Sequence, residues 1–373
     1  MIHSVEFDYK RDAKYLSKIL KQCIAAHTLD LDFLLQYFAP YNCEQRMVII
    51  SGLAYDYNYQ LDDMILERPE SPIRSCALAL MIEPIELYAR DFHDLLLGKR
   101  TGRIDGDIAR KLLEILLALN NDDTRKLKDL YKQLFDNSIE RDVERVQGST
   151  AITSKLLVEL LKGERHEEPN SSTDIAKSIA KKLYEAGEGT PGIDYETFIR
   201  IFTRDAFSQL STIFDIYEDL YKRPIQEAID REFPNPTETE CFQDIVEFTR
   251  SPAIYYSKVL RQALEKIPVD YITLIRTIIG HEERDFQEIK LEYSKIYDET
   301  LDQTIHTRLD IVELKRLFIT IINKGEKSTS NDDGQVEFDT HSSETSSHHT
   351  LRRSLSHEVF DKFIHVFKTM RPH

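Results

Sequence analysis

The sequence predicts an all-α protein made of four repeats, each with about five short amphipathic helices. Glycine and proline, the residues that most disfavour helices, number only 12 each in 373 residues, whereas Leu, Ile, Glu and Lys are abundant. A thirteen-residue pattern recurs four times, with large apolar residues at its first, fifth, ninth and thirteenth positions. A spacing of four residues is typical of one face of a helix. The copies begin at Leu53, Tyr131, Tyr217 and Tyr293.

Each copy of the pattern lies between two further apolar runs with helical spacing. The copies start 78, 86 and 76 residues apart. Chance similarity among helices is the alternative explanation, and four co-linear copies with matched flanks argue against it. The preceding runs are LDFLLQYF, ARKLLEILLAL, TFIRIFTR and ITLIRTII, and the following runs are SCALALMI, SKLLVELL, FQDIVEF and LKRLFITII.

The repeats and the segments between them divide the chain into eight regions. The polar stretch GERHEEPNSSTD separates the second repeat from the third. We expect an N-terminal segment at 1–10, repeats at 11–82, 83–165, 174–251 and 252–325, a linker at 166–173, a Ser/His-rich segment at 326–357 and a C-terminal helix at 358–373.

The last two regions have contrasting compositions. Segment 326–357 contains few large apolar residues, so burial cannot offset the entropy of ordering it, and we expect it to be disordered. Segment 358–373 has apolar residues at helical spacing, which predicts a short amphipathic helix that packs back onto the repeats. These residues are Val359, Phe360, Phe363, Ile364 and Phe367.

A short basic motif lies at the end of the Ser/His-rich segment. Arg352 and Arg353 precede Ser354 and Ser356. Basic-directed kinases recognise serines that follow arginines, because guanidinium groups pair with carboxylates of the kinase. Phosphorylation of Ser354 or Ser356, followed by binding of a phosphoserine-binding adaptor, is therefore one hypothesis. An inert, solubilising tail is the alternative.

The charge of the chain restricts its partners. Lys and Arg number 49 and Asp and Glu number 65, which gives a net charge of −16. A generic nucleic-acid-binding protein needs a basic face that displaces counterions, and this composition argues against one. It also argues against a polybasic membrane binder. Contact with phosphate or anionic lipid would therefore need a local cationic group or a bridging metal ion.

Several sequence features indicate a cytoplasmic protein without catalytic machinery. The cysteines Cys23, Cys43, Cys76 and Cys241 are scattered and form no CxxC pair, which is typical of a reducing compartment. The N-terminus has no apolar signal-peptide core, and the longest apolar run, Cys76–Ile82, is too short to span a membrane. No P-loop, nucleophile elbow, HExxH or kinase signature occurs, so we do not expect an enzyme.

The third repeat carries the most informative motif. The run Gly187-Glu188-Gly189-Thr190-Pro191-Gly192 lies between two predicted helices. Its glycines permit backbone conformations that turn several carbonyl groups outward together. Glu232 follows Gly192 by 40 residues, at the end of another predicted helix. Backbone carbonyls combined with one carboxylate form a set of hard oxygen ligands suited to Ca²⁺.

The four repeats, the glycine-rich loop and the distant acid resemble the annexin family over roughly residues 11–325. The resemblance implies five-helix repeats packed as a curved disc, with Ca²⁺ in the loop between the first two helices of a repeat. It implies carbonyl ligands from Gly187, Thr190 and Gly192 and a carboxylate ligand from Glu232. The implied function is calcium-dependent binding to anionic phospholipid membranes by a peripheral cytoplasmic protein.

The other repeats depart from this family pattern. In repeat 4 the loop 264–269 has no glycine, and Arg308 stands where the distant acid is expected, so we expect no calcium there. In repeat 1 Glu67 lies one residue from the expected position, and in repeat 2 Glu144 lies near it and follows a loop that ends at Gly106. Glu67, Gly106 and Glu144 are therefore weaker candidates for metal ligands.

This loss of standard loops suggests an alternative function. The divergent annexins called alpha-giardins also depart from the loop pattern, and they are associated with the microtubule cytoskeleton as well as with lipid. The resemblance therefore leaves open a cytoskeletal structural protein in which most calcium sites are lost.

Overall fold

The computed structural model describes residues 7–25, 28–97, 106–148, 150–168 and 172–324. Within these ranges the regular structure is entirely helical, with twenty α-helices and no strand. The all-α fold that the sequence predicts is therefore confirmed. The predicted disordered segment 326–357 and the predicted helix 358–373 lie outside the described residues, and so do Ser354 and Ser356.

The twenty helices follow one another in four groups of five. The first group comprises α1 (Tyr9–Ala25), α2 (Leu31–Phe38), α3 (Cys43–Tyr57), α4 (Leu61–Leu66) and α5 (Pro72–Leu80). The second comprises α6 (Pro84–Leu97), α7 (Gly106–Leu117), α8 (Asn121–Phe135), α9 (Ile139–Gln147) and α10 (Ile152–Leu161). The third comprises α11 (Thr173–Ala186), α12 (Tyr195–Arg204), α13 (Phe207–Tyr221), α14 (Ile225–Glu232) and α15 (Pro236–Arg250). The fourth comprises α16 (Pro252–Glu265), α17 (Tyr271–His281), α18 (Phe286–Tyr297), α19 (Leu301–Arg308) and α20 (Val312–Ile322).

The recurring thirteen-residue pattern spans two helices in each repeat rather than one. The third helix ends at a residue in the left-handed conformation, and the fourth helix begins shortly after it. Asn and Asp tolerate this conformation better than most residues do. The left-handed residue is the sixth of the pattern in every copy, so the interval of 78, 86 and 76 residues recurs here. These residues are Asn58, Asp136, Lys222 and Asp298, with φ between 50° and 59°.

The pattern recurs because its apolar positions form the core where the third and fourth helices meet. The residues at its first, ninth and thirteenth positions are buried in all four repeats. The fifth position, just before the left-handed residue, is only partly buried. Burial of each such side chain contributes about 1.5–3 kcal/mol. In repeat 3 the three buried positions are Tyr217, Ile225 and Ile229.

Local sequence also sets where the helices begin. Asn42 and Gln45 form a reciprocal capping box at the start of α3, and Thr300 and Gln303 form another at the start of α19. Such boxes satisfy backbone N–H groups that have no partner inside the helix. Pro occupies the first turn of α5, α15 and α16, where its missing N–H has no cost.

Ion pairs with buried side chains join the second repeat to the fourth. The guanidinium of Arg276 in α17 lies 2.9 Å from Glu114 in α7 and 3.2 Å from Asp91 in α6. Arg276 is 2% exposed. Burial raises the pKa of Asp91 to about 6, and the nearby Arg276 partly opposes that increase. A buried charge of this kind is stable only with its oppositely charged partners in place. The ion pairs of Arg276 with Glu114 and Asp91 therefore fix how the two repeats meet.

The first repeat meets the fourth through a second buried cluster. Nη2 of Arg46 in α3 lies 3.2 Å from Oε2 of Glu282, which follows α17. Lys324, the last described residue, donates to the backbone carbonyl of Tyr41 at 2.8 Å and also pairs with Glu282. The beginning and the end of the four-repeat core are therefore in direct contact.

Within the described residues no helix is both long and apolar enough to cross a membrane. The apolar run Cys76–Ile82 belongs mostly to α5, a short helix of the core. All four cysteines carry free thiols.

Candidate functional site

The glycine-rich loop of repeat 3 joins α11 to α12 and is closed by backbone hydrogen bonds. The N–H of Asp194 donates to the carbonyl of Ala186 at 2.8 Å, so the two ends of the loop meet. The N–H of Gly189 donates to the carbonyl of Tyr184 at 2.7 Å, which folds the first half of the loop back onto α11. The Asp194 carboxylate accepts from the backbone N–H and the hydroxyl of Thr197 and begins α12.

The shape of this loop requires glycine at two positions for steric reasons. A Cβ at Gly189 would lie 2.9 Å from the ring of Tyr184, which stacks on Tyr221 with a centroid distance of 3.9 Å, and 3.0 Å from the backbone oxygen of Tyr184. Gly192 has a φ of 92°, a conformation that residues with a side chain rarely adopt. The loop therefore has a compact, specific shape.

The predicted carbonyl ligands differ in availability. Thr190 and Gly192 are exposed. Among the hydrogen bonds formed by the described residues, none ends on the carbonyl oxygen of either residue. Gly187 is buried instead, and its carbonyl accepts the N–H of Thr190 at 3.3 Å. The structure thus presents the Thr190 and Gly192 carbonyls as free ligands and leaves Gly187 as a weaker candidate.

Glu232 is the last residue of α14, and its carboxylate is free to bind a ligand. The side chain is half-buried and makes no ion pair or hydrogen bond with any part of the chain that the structure describes. The next residue, Phe233, has ring-centroid distances of 5.2 Å to both Tyr195 and Phe198 in α12. These aromatic contacts hold the end of α14 beside the start of α12, immediately after the glycine-rich loop.

Glu188, a loop residue that the sequence analysis did not select, connects the loop to the rest of repeat 3. Its side chain is 9% exposed and lies 2.9 Å from the guanidinium of Arg223. It also accepts the hydroxyl proton of Tyr217 at 2.7 Å, and Arg231 approaches to 3.8 Å. Burial and the hydrogen bond to Glu188 raise the pKa of Tyr217, so its hydroxyl remains a donor at neutral pH.

The equivalent tyrosines of repeats 2 and 4 have a different partner. Tyr131 donates to Asp142 at 2.7 Å, and Tyr293 donates to Thr304 at 2.9 Å. Both acceptors lie eleven residues after the tyrosine, in the fourth helix of the repeat. Repeat 3 has Ala228 at that position, so the hydroxyl of Tyr217 is left for Glu188. The sequence feature that could have indicated the role of Glu188 was therefore the missing acceptor at position 228, not the composition of the loop.

The donor set suits a hard cation such as Ca²⁺. The free carbonyls of Thr190 and Gly192 and the carboxylate of Glu232 are oxygen ligands, and Ca²⁺ takes six to eight such ligands, including water. No group of three or more His, Cys, Asp or Glu side chains suited to a metal occurs in the described ranges. A metal at this loop would therefore depend on backbone oxygens more than on side chains.

The weaker candidates are less well supported by the structure. Glu67 follows α4 and is exposed, and residues 26 and 27 of the repeat 1 loop lie outside the described residues. Glu144 is exposed on α9, and Gly106 is the first residue of α7. The rest of that repeat 2 loop, residues 98–105, lies outside the described ranges. The structure therefore brings none of these three residues together with a complete set of ligands.

In repeat 4, cationic side chains occupy the equivalent region. Lys266, in the loop between α16 and α17, lies 2.9 Å from Asp107 and 3.7 Å from Asp270. Arg308 is exposed at the end of α19. The absence of a calcium loop in repeat 4 stays a prediction.

Comparisons with known proteins agree with this fold and this loop. The family model "Annexin" matches residues 178–238, a range that contains both the glycine-rich loop and Glu232. Annexin A13 of Mus musculus is 28% identical over 305 residues, which cover 82% of this chain and 92% of that protein. Annexin A1 of Bos taurus is 28% identical over 286 residues, which cover 77% of this chain and 80% of that protein.

Solved structures show the same fold. Annexin III superposes with a TM-score of 0.77 and 23% identity, covering 85% of this chain and 94% of that one. Calcium-bound alpha-14 giardin superposes with a TM-score of 0.65 and 18% identity, covering 83% of this chain and 99% of that one.

The fold and the loop define a helical repeat protein with a candidate metal-binding loop in its third repeat. The comparisons support the annexin family, including its alpha-giardin-like relatives, as the family that this chain resembles. Annexins are in general calcium-dependent phospholipid-binding proteins rather than enzymes.

Proposed function

We propose that this protein binds anionic phospholipid membranes in a calcium-dependent manner through the loop of repeat 3. The observation that carries the proposal is that the carboxylate of Glu232 has no hydrogen-bond or ion-pair partner among the described residues. It lies at the end of a helix held beside the loop, and the Thr190 and Gly192 carbonyls of that loop accept no hydrogen bond from the described residues either. A carboxylate that no described residue engages is available to a divalent cation, which prefers such oxygen ligands.

The chain's own residues prepare this site. Glu188 and Arg223 hold the loop close to α14, and the aromatic contact between Phe233 and Tyr195 fixes the helix end that carries Glu232. Glu232 and the carbonyls of Thr190 and Gly192 would hold Ca²⁺, and the bound ion would supply a positive charge that attracts a headgroup phosphate. This charge matters because a net charge of −16 otherwise opposes approach to an anionic surface.

Vesicle co-sedimentation tests the proposal. The protein should pellet with phosphatidylserine vesicles in millimolar calcium and stay in the supernatant in excess chelator. Because ligand effects are reciprocal, lipid should tighten calcium binding by the same factor by which calcium tightens lipid binding. Equal pelleting with and without calcium would overturn the proposal.

A cytoskeletal role is the second candidate, and the fold likeness to alpha-giardins is the observation that favours it. Microtubule co-sedimentation beside the vesicle assay distinguishes the two functions. Microtubule binding that is indifferent to calcium, without vesicle binding, would favour the cytoskeletal role. The hypothesis of an adaptor that binds phosphorylated Ser354 or Ser356 stays a prediction for the full chain, and kinase treatment followed by pull-down tests it.

A further inference from the structure

The first helix of repeat 1 is basic, although the molecule as a whole is acidic. Between Tyr9 and Ala25, α1 contains five Lys and Arg residues and a single Asp, which gives this helix a net charge of +4. The whole chain has a net charge of −16, so the residues outside α1 sum to −20. The sign of the charge on α1 is therefore opposite to that of the rest of the molecule.

Four of the cations on α1 lie on one face of the helix. They are spaced by three or four residues, and side chains with this spacing are neighbours on a helix surface. We call Lys10, Lys14, Lys18 and Lys21 the lysine stripe. All four side chains are exposed, and no ammonium group of the stripe forms an ion pair or a hydrogen bond with the residues that the structure describes. Since a helix rises 1.5 Å per residue, the stripe is about 16 Å long.

The end of the described core lies close to α1. Lys324 donates to the backbone carbonyl of Tyr41 at 2.8 Å, and the hydroxyl of Tyr41 donates to Asp12 of α1 at 3.3 Å. Asp12 is buried, on the side of α1 opposite to the lysine stripe. A helix with its side chains is about 10–12 Å wide, so the chain that follows Lys324 reaches the stripe by passing around one helix.

The chain beyond Lys324 carries a matching set of negative charges. Asp332, Asp333, Glu337 and Asp339 fall within eight residues that contain no Lys or Arg, and we call residues 332–339 the acidic segment. This segment lies outside the described residues. The eight-residue step from Lys324 to Asp332 spans up to about 26 Å when extended, which is enough to pass around α1. The four carboxylates equal the four ammonium groups of the stripe in number.

We propose that the lysine stripe is a docking surface for an anionic peptide, and that its occupant is the acidic segment of the same chain. Contacts between exposed charges are individually weak, but the short tether gives the segment an effective concentration of about a millimolar at the stripe. Like charges three or four residues apart destabilise a helix, so carboxylates placed among the lysines also stabilise α1. The contact needs neither calcium nor lipid, and it therefore goes beyond the proposed function.

Docking of the acidic segment has a consequence for other anions. While the segment is in place, the stripe is closed to anionic lipid and to acidic proteins. The surface of opposite sign is thereby neutralised from within the chain.

Carbodiimide crosslinking of the full chain, without calcium or lipid, tests the contact. The reagent joins a carboxylate to a lysine only when the two groups touch, and mass spectrometry of the peptides identifies the pair. The acidic segment should crosslink to the lysine stripe at 0.1 M salt. The yield should fall at least about fivefold at 1 M salt, because the screening length shortens from about 10 Å to about 3 Å. No crosslink between the segment and the stripe at low salt would overturn the inference.

The matched control lies on the equivalent helix of repeat 3. Lys177 and Lys181 on α11 are also exposed and four residues apart, and neither has an ion pair within the described part of the chain. They should give at least about fivefold less crosslinked product with the acidic segment than the stripe gives. Equal yields would mean that the segment meets lysines at random, and the inference would be wrong.

Exchange of the charges tests whether the pairing is specific. A variant with Glu at all four stripe positions and Lys at all four acidic positions of the segment should crosslink about as well as the unmodified protein, because each pair keeps its attraction with the signs reversed. Loss of the crosslink in this variant, with unchanged circular dichroism, would contradict the pairing. If the variant does not fold, the salt dependence and the comparison with α11 decide the question in the unmodified protein.

A mixture of isotopically labelled and unlabelled chains identifies the occupant. Crosslinks within one chain support the inference. Crosslinks that join labelled to unlabelled chains would show that a second copy supplies the segment, and they would overturn it. Vesicle co-sedimentation in calcium is measured separately, so either result leaves the proposed function to its own test.

Discussion

Oε1 of Glu188 lies 2.9 Å from the guanidinium of Arg223, and this pair ties the candidate metal loop to the turn between α13 and α14. The same carboxylate accepts the hydroxyl of Tyr217, so both of its oxygens are engaged. Glu188 is therefore committed to holding the loop, whereas Glu232 is left free to bind a ligand. Two carboxylates of one repeat thus have distinct roles because their neighbours differ.

The first prediction concerns the free carboxylate. Glu232→Gln should abolish most calcium-dependent vesicle binding, because it removes the only charged ligand of the proposed site while keeping the size of the side chain. The free energy of unfolding should change by no more than about 0.5 kcal/mol, since Glu232 has no partner among the described residues to lose. Vesicle co-sedimentation and chemical denaturation measure the two effects.

Glu227→Gln is the matched control for that variant. Glu227 lies on the same helix and is exposed, with only a distant contact of 3.8 Å to Arg231. It should bind vesicles like the unmodified protein. If Glu232→Gln also binds normally while Glu67→Gln or Glu144→Gln does not, the calcium loop belongs to another repeat.

The second prediction concerns the positioning of the loop by Glu188. Glu188→Gln should lower calcium affinity several-fold in the presence of lipid and reduce the free energy of unfolding by about 1–2 kcal/mol, because it weakens charge-assisted hydrogen bonds. Isothermal titration with calcium and vesicles measures the affinity.

Ala228→Asp distinguishes positioning from general destabilisation. The introduced carboxylate would accept the hydroxyl of Tyr217, as Asp142 accepts the hydroxyl of Tyr131 in repeat 2. Arg231 would pair with this carboxylate as Arg145 pairs with Asp142. Tyr217 should then release Glu188, and calcium affinity should fall although a hydrogen bond is added in the fold. Unchanged calcium affinity in both Glu188→Gln and Ala228→Asp would show that the contacts of Glu188 with Tyr217 and Arg223 have no role at the site.

The third prediction is a pH dependence from the buried pair between repeats 2 and 4. Burial raises the pKa of Asp91 to about 6, above its value of about 3.9 in the unfolded chain. Between these values the folded state holds a proton that the unfolded state has lost. The contribution of Asp91 to stability should therefore fall as pH rises from about 4 to about 6 and stay constant above that range.

Denaturation curves of the unmodified protein and of Asp91→Asn, recorded across this range, test the sign. The free energy of unfolding of the unmodified protein should fall relative to that of Asp91→Asn as pH rises to 6. Arg276→Met is the contrasting variant: it leaves Asp91 and Glu114 buried without a cation and should cost about 3–5 kcal/mol at neutral pH. A difference between the unmodified protein and Asp91→Asn that does not change with pH would contradict the assignment.

The fourth prediction concerns truncation after Lys324. The four-repeat core should keep its helical circular dichroism, because the apolar faces of the described helices bury one another. Lys324 itself should be needed, since it bonds to the carbonyl of Tyr41 and pairs with Glu282. Lys324→Ala in the truncated chain should lower the free energy of unfolding by about 1–3 kcal/mol. A loss of helix on truncation alone would mean that Phe360, Phe363 and Phe367 belong to the core.

Much of the fold could be predicted from sequence because it rests on periodic burial. The recurring apolar positions, the loop after α11 and the acid 40 residues later all follow from spacing along the chain. The division of the pattern into two helices could not be predicted from apolar spacing. It depends on one left-handed residue, which is Asn or Asp in three repeats but Lys222 in the third.

The site was predictable only in part, for a similar reason. Gly187 fits the loop pattern, but it is buried, and its carbonyl already accepts a hydrogen bond. The role of Glu188 depends on Ala228, a residue 40 positions away that lacks an acceptor. Spacing identifies groups that can bind a ligand, whereas the partners that already occupy those groups appear only in three dimensions.

The contact between Arg46 and Glu282 has a consequence for how this architecture can evolve. An open array of repeats can gain or lose a unit at either end, because each unit touches only its neighbours. Here residues 236 positions apart meet, so the first and fourth units are themselves neighbours. Deleting or duplicating a unit would leave the buried guanidinium of Arg46 without its carboxylate. A change in the number of repeats would therefore cost this closing contact, whereas a change in an exposed loop would not.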